Sequence, residues 1–288
     1  MLAIALSSCL ARPTALSQPV APSLSPPPAP SIIYQTQVRD RYTMHVLRIP
    51  NHARFEVQPA LTQGVATVEE FAQQTGATAV INGGYFDPAN QQTTSFIVRD
   101  GQLVADPRTN SRLMENPQLT RYLPQILDRS EFRRMQCGDD VTVAIARHSI
   151  PMPQSCHLLD ALGAGPQLLP EFTAEAEGFI DKADARVVRD ALGSDRPNAR
   201  SALGITATGE ILLVMVAQWP DSPADSGISL PGLAALLQEL GATTALNLDG
   251  GSSSSLYYGG RAMYGKVNAH GAIVQRPVKS VLIVKQRF

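Results

Sequence analysis

The chain has 288 residues, a net charge of −1 and an ordinary 44% hydrophobic content, enough apolar surface for one large domain or two small ones. It carries no dense basic block, which excludes nucleic acid as a partner, and no apolar run of about 18 residues, which argues against a transmembrane helix.

The first residues differ from the rest. Met1 to Leu6 is apolar, and Leu6-Ser7-Ser8-Cys9 is similar to a bacterial lipobox, in which Cys9 would carry a lipid anchor. The n-region lacks basic residues, and the apolar segment is shorter than the usual run of about 7 to 15. Residues 1–10 are therefore read as a leader or a remnant of a lipoprotein signal, and the protein as exported, periplasmic or envelope-attached. Residues 11–31 are rich in Pro and Ser, with Pro26-Pro27-Pro28 near the centre. They cannot bury enough apolar surface to fold and read as a disordered linker. The folded domain is expected over 32–288.

Ile33 to Val38, Tyr42 to Ile49 and Phe55 to Ala60 read as strands, separated by turn residues. Thr67-Val68-Glu69-Glu70 fits a capping box that opens a helix, which Gly76 closes. A buried strand, Thr78 to Ile81, runs into Asn82-Gly83-Gly84-Tyr85-Phe86. Ser95 to Val104 reads as a hairpin turning at Asp100-Gly101. Residues 110–136 carry many charges and two prolines and are expected to form short surface helices. Val141 to Ala146 reads as a strand. Ala161 to Leu169 is a glycine-rich loop without the lysine and hydroxyl of a P-loop, so nucleoside triphosphate binding is rejected. Ala174 to Leu192 is expected to be a solvated helix or long loop. Ser201 to Ile205 and Ile211 to Ala217 form a second hairpin, with Arg200 just before it. Ser229 caps a helix with an apolar stripe at Leu230, Leu233, Ala234, Leu237 and Leu240; a strand to Leu248 and the turn Asp249-Gly250-Gly251 follow. Val278 to Lys285 is a final strand. The pattern predicts an α+β domain of mixed β-sheets flanked by helices.

Two helix-to-strand units are alike. Asn82 lies six residues after Gly76, and Asp249 eight after Gly241. The difference of two keeps strand parity, so both polar side chains are expected to leave one face of a sheet at a shared rim. At that rim Asp249 supplies a carboxylate, two glycines allow a sharp turn or close approach to a ligand, and Ser252 to Ser255 supply hydroxyls. The bland alternative is a turn in which the Asp side chain bonds its own backbone.

Three cysteines occur. Cys137 and Cys156 are the expected disulfide, closing a loop of roughly 20 residues worth about 3 kcal/mol; the alternative is two separate buried thiols. No Cys/His pattern has zinc spacing, and His45, His52, His148, His157 and His270 show none either. No metal or cofactor is expected, and the metal requirement stays open.

Taken together, Asn82-Gly83-Gly84-Tyr85-Phe86, Gly163-Ala164-Gly165-Pro166, Arg200-Ser201-Ala202-Leu203-Gly204 and Leu248-Asp249-Gly250-Gly251-Ser252-Ser253 resemble the phosphodiester glycosidase family, in order and approximate spacing. Ser252 stands where the family often has a third glycine, so a side chain enters the pocket there. The resemblance implies a hydrolase that cleaves a sugar 1-phosphodiester, similar to an N-acetylglucosamine-1-phosphodiester, in envelope or extracellular glycans. Asp249 would be the essential carboxylate, Arg200 the phosphate ligand and Asn82 a positioning group. Gly83, Gly84, Tyr85, Gly165, Ser201, Gly250, Gly251, Ser252 and Ser253 would contact substrate, with the Gly250 to Ser252 amides forming an anion nest. A second carboxylate would come from Asp87, Asp106 or Glu210. His270 would assist or be structural, and Trp219, Tyr85, Tyr257 or Tyr258 would stack on sugar. No Gly-x-Ser-x-Gly elbow supports a serine nucleophile. The competing reading is a catalytically silent carbohydrate- or peptidoglycan-binding module.

Overall fold

Alternation in the central strands decides the layering. In Tyr42–Ile49, Leu47 and Ile49 face one core while Met44 and Val46 face another. The same split runs through Ile211–Ala217, where Leu213 and Met215 oppose Leu212, Val214 and Val216. Strands buried on both faces need cover on both. Our computed structural model describes residues 30–51 and 53–287 and shows what supplies that cover. The leader and most of the linker lie outside the described residues, as does His52.

A six-stranded sheet is ordered Ile33–Arg39, Tyr42–Ile49, Ile211–Ala217, Arg200–Thr206, Ala242–Asn247 and Gln167–Leu169. A five-stranded sheet is ordered Arg261–Tyr264, Ser255–Tyr258, Ala79–Asn82, Val278–Gln286 and Phe55–Ala66. A second five-stranded sheet holds Asp140–Arg147, Ser130–Cys137, Cys156–Gly163, Ile97–Arg99 and Gln102–Ala105. Neighbours within these sheets pair antiparallel. Leu203 and Leu246 from the first sheet, Ile81 and Leu282 from the second, and Phe132 and Leu162 from the third share the central core.

Two helices close the outer faces. Val68–Thr75 lays Val68, Phe71 and Ala72 on Val80, Val281 and Ile283. Its start is the expected capping box, with the Glu70 amide donating to Thr67 Oγ1 and the Thr67 amide to Glu70 Oε2; its end is Gly76 at φ 66°. Leu230–Glu239, capped by Ser229, buries Leu230, Leu233, Leu236 and Leu237 against the six-stranded sheet. The α+β reading holds.

Three expectations change. The glycine-rich stretch is a loop only at Ala164 to Pro166, because Ala161 to Gly163 end the strand Cys156–Gly163 and Gln167–Leu169 is a strand of its own. Helical turns do occupy Ser111–Met114 and Leu123–Ile126, but Ser130–Cys137 is a strand with Ser130 to Met135 buried. Its charges misled because they are neutralised inside: Arg133 pairs with Glu131 at 2.7 Å, and Arg134 with Glu56 at 2.6 Å and Asp160 at 2.5 Å. Within Ala174 to Leu192, Ile180–Ala183 and Arg186–Asp190 form a hairpin turned through Asp184 and Ala185 at φ 49° and 62°. The Asp100-Gly101 turn is as expected, with φ 50° and 73°.

Cys137 and Cys156 face each other across antiparallel strands and are disulfide-bonded, with Cα atoms 4.1 Å apart. The bond closes the end of Ser130–Cys137 remote from Ser130, about 20 Å along the strand at roughly 3.3 Å per residue. Reduction is expected to cost about 3 kcal/mol while folded enzyme keeps its turnover. Denaturant melts with and without dithiothreitol, beside an activity assay, check both parts.

Candidate active site

Asn82 and Asp249 stand on different sheets, not on one face of a single sheet: Ala79–Asn82 belongs to the five-stranded sheet and Ala242–Asn247 to the six-stranded one. Strand parity does not relate the two side chains, because their strands share no sheet. The convergence survives, because the two strand ends meet across the sandwich. The Asp249 amide donates to the Gly83 carbonyl at 2.9 Å. Asn82 Nδ2 donates to the Asp249 carbonyl at 2.6 Å, and the Ser255 amide donates to Asn82 Oδ1 at 3.1 Å. Asn82 is fully buried, with both polar atoms on backbone. It clamps the start and end of the Asp249 to Ser255 turn and so acts as a positioning residue.

Close approach explains the glycines. A Cβ on Gly83 would lie 2.7 Å from Ser280 Oγ, and one on Gly84 2.2 Å from the Gly163 carbonyl oxygen. Gly165 has φ +94°, and a Cβ there would lie 2.2 Å from Glu177 Oε2. These contacts stitch the Asn82 turn to the Gly163-Ala164-Gly165-Pro166 loop. Tyr85 adds to the seam: its hydroxyl donates to the Gly165 carbonyl at 2.8 Å and accepts from Asn247 Nδ2 at 2.7 Å. Burial, and next the charge of Asp249, push the Tyr85 phenol up, so it stays protonated.

Asp249 keeps part of its surface open while protein atoms crowd around it. Desolvation pushes its carboxyl up to about 6, against the pull of the Ser253 hydroxyl, the Arg276 guanidinium and the Gly250 amide. A carboxyl poised there changes charge near neutral pH. Arg276 Nη1 donates to Ser252 Oγ at 2.7 Å, and the guanidinium lies 5.1 Å from the centre of the Phe86 ring. The serine that replaces a glycine thus orients an arginine. A guanidinium cannot accept a proton, so this contact does not make Ser252 a nucleophile.

Arg200 is not arranged to hold phosphate. It is 3% exposed, and its guanidinium donates to the carbonyls of Ile228, Leu192, Gly193 and Arg196 at 3.3, 3.1, 2.9 and 3.2 Å. Four of its five N–H groups are spent on backbone, so it organises the loop beneath Gly250. The amide nest is also partly consumed, because the Gly251 amide donates to the Ala199 carbonyl at 2.8 Å. Ser201 is buried on the strand Arg200–Thr206, and its carbonyl accepts from the Leu248 amide at 2.9 Å. Ser253 is buried within the short turn Gly251–Ser253.

The three candidates for a second carboxylate are all paired with arginine: Asp87 with Arg112 at 2.7 Å, Asp106 with Arg108 at 2.6 Å and Glu210 with Arg48 at 2.7 Å. Glu210 sits by the hairpin turn, at the opposite end of Arg200–Thr206 from Arg200. None of the three shifts Asp249. Tyr258 packs near Tyr34, and Tyr257 joins the core under the Val68–Thr75 helix. His270 is exposed, and the Trp219 amide donates to Ser226 Oγ at 2.8 Å.

Three residues here had no sequence signal: Arg276, Arg129 and Glu177. Glu177 is fully buried and accepts from the Ser130 amide at 3.0 Å, Ser130 Oγ at 2.6 Å, the Gln167 amide at 3.1 Å and Thr173 Oγ1. It holds the Gly165 loop and has no capacity left for substrate. Lys266 donates to Asn198 Oδ1 at 2.9 Å beside Gly251 and Arg200. Arg129, Arg200, Lys266 and Arg276 form no ion pair among the described residues, so cations outnumber the one titrating carboxyl of the turn. No group of three His, Cys, Asp or Glu side chains among the described residues is placed to hold a metal ion, and no described helix is long and apolar enough to cross a membrane.

One half-buried carboxylate thus stands where the strand ends cross, with the Arg276 guanidinium acting on it. The chain belongs to the phosphodiester glycosidase family, whose model matches residues 75–285, and it is a glycosidase-type hydrolase. The catalytic domain of zebrafish N-acetylglucosamine-1-phosphodiester alpha-N-acetylglucosaminidase, auto-inhibited by its pro-peptide, has a similar structure, with TM-score 0.64, 20% identity and coverage of 92% of this chain and 86% of that one. A hypothetical protein from Synechocystis is also similar, with TM-score 0.57 and 18% identity; the match covers 89% of this chain but 61% of that longer one. At these identities the likeness concerns the fold. No curated protein matches the sequence.

Proposed function

We propose that the protein hydrolyses a sugar 1-phosphodiester, similar to an N-acetylglucosamine-1-phosphodiester, in envelope or extracellular glycans. The observation that carries this reading is the Asp249 carboxyl, raised to about 6, under the influence of an Arg276 that makes no ion pair among the described residues. Arg276 binds the phosphate, and the ionised Asp249 faces the anomeric carbon. As the bond from that carbon to the phosphate oxygen breaks, its electron pair leaves on the phosphate monoester. The carboxylate stabilises the positive, oxocarbenium-like centre; water supplies the new oxygen and releases a proton. Phosphate leaves readily, so one carboxylate suffices, which agrees with the arginine pairing of the other three candidates.

The disulfide supports an exported location, and an anchor at Cys9 would tether the enzyme to the envelope. The test is release of mannose 6-phosphate from N-acetylglucosamine-1-phospho-6-mannose. Arg276→Ala is expected to raise KM about tenfold to a hundredfold, the worth of a charge-assisted hydrogen bond. An unchanged KM would remove Arg276 from the phosphate site. Substrate binding without release by the wild type would favour the silent binding module.

A further inference from the structure

Arg129 is buried and forms no ion pair among the described residues, although the charge of Glu177 acts on it. It is 9% exposed. Its guanidinium carbon lies 3.7 Å from the centre of the Phe179 ring and 5.8 Å from that of Tyr85, and the two rings are 5.5 Å apart. Its Nε donates to the Glu177 carbonyl at 3.3 Å. The two terminal nitrogens make no hydrogen bond among the described residues and are not sealed from solvent. Glu177, the carboxylate whose charge acts on Arg129, is turned to Ser130, Thr173 and Gln167 and makes no ion pair with it. An unpaired buried cation is costly to keep. A guanidinium lying against a ring keeps its planar edge free for two oxygens of a carboxylate or phosphate.

The position relative to Asp249 separates this cation from Arg276. Asp249 is under the influence of Arg276 but not of Arg129, whereas Tyr85 is under that of both Asp249 and Arg129. Tyr85 is therefore near both charges, with its ring centre 5.8 Å from the Arg129 guanidinium carbon. A substrate whose scissile phosphate rested on Arg276 would run along Tyr85 to reach Arg129.

We infer that Arg129, stacked on Phe179 beside Tyr85, binds a second anionic group of the substrate, so that the preferred substrate is a sugar 1-phosphodiester carrying a further phosphate or carboxylate. This rests on the hydrolase reading above for its substrate. Glycans joined by repeated phosphodiesters or bearing acidic sugars have this chemistry.

The test compares N-acetylglucosamine-1-phospho-6-mannose with the same compound carrying an added phosphate on the mannose. Turnover is measured with the full chain and with Arg129→Gln. Arg129→Gln is expected to raise KM about tenfold for the doubly phosphorylated compound with little change in kcat, and to leave KM for the singly phosphorylated one within about twofold. Equal weakening for both compounds would assign Arg129 to the scissile phosphate and overturn the inference. No weakening for either would do the same. Arg129→Lys keeps the charge but not the fork and should fall between; it replaces the Gln variant if that fails to fold. Calorimetric binding of both compounds to Asp249→Asn, with and without Arg129→Gln, gives a readout without turnover. Charge-selective binding with no hydrolysis by the wild type would sink the hydrolase reading and keep the subsite; hydrolysis indifferent to Arg129→Gln would do the reverse.

Discussion

Asp249→Asn is expected to lower kcat/KM about a thousandfold or more, equivalent to about 4 kcal/mol of transition-state stabilisation, while the protein stays folded. The fold survives because the contacts that place Asp249 use its backbone: its amide on Gly83 and its carbonyl under Asn82. The pH behaviour follows from the carboxyl raised from 3.8 to about 6. The ionised form acts, so kcat/KM should fall as pH drops through about 6 and level off above it. Arg276→Ala should move that limb to higher pH, because the guanidinium pulls the carboxyl down. Stability runs the other way. Between pH 4 and 6 the folded state binds the proton more tightly than the unfolded chain, so this group's contribution is complete at low pH and is lost as pH rises through about 6. The loss is about 3 kcal/mol at most. Asp249→Asn escapes it, and above pH 7 the variant should melt no lower than the wild type. Steady-state rates and thermal melts across pH 4 to 8 decide the matter. Equal rates for both proteins would take Asp249 out of the mechanism.

What the sequence made legible is what local chemistry specifies. The Thr67 capping box, the Asp100-Gly101 turn and the buried strand that runs to Ile81 depend on neighbours a few residues away, and each appears as expected. Asn82 and Asp249 were found because a polar residue followed by two glycines at a strand end is conspicuous. Their sheets were not, because sheet membership is set by pairing over long separations, such as Ile81 with Leu256 and Ala202 with Asn247. Arg200 was misjudged for a related reason. A guanidinium reads as a phosphate ligand until the Leu192, Gly193 and Arg196 carbonyls of the preceding loop and the Ile228 carbonyl are seen around it. Arg276 lies in a loop without periodicity, and nothing in its neighbours announces that Ser252 will orient it. Charge misleads in the same way at Arg134, whose partners Glu56 and Asp160 become visible only once the strands are brought together.

Glu177→Ala should produce the largest loss of stability at the site. The carboxylate collects four donors in a fully buried place, two from Ser130 and one each from Gln167 and Thr173. Truncation leaves those donors without acceptors, each costing about 1 to 3 kcal/mol. Even with relaxation and a trapped water the sum is about 4 kcal/mol or more, or roughly 10 °C in Tm for a domain of this size. Activity should fall as well, because Glu177 Oε2 presses on Gly165, whose carbonyl receives the Tyr85 hydroxyl and Asn247 Nδ2. Loosening that loop frees Tyr85, whose ring packs beside the Arg129–Phe179 stack. Glu177→Gln keeps one acceptor oxygen and the shape, and should cost about half as much. The ordering of the two variants is the informative result. If Glu177→Gln inactivates the enzyme while leaving its melting temperature unchanged, Glu177 takes part in proton transfer, and the single-carboxylate mechanism is wrong. If both variants lose stability and activity in step, with Ala worse, the buried acid acts through the loop it holds.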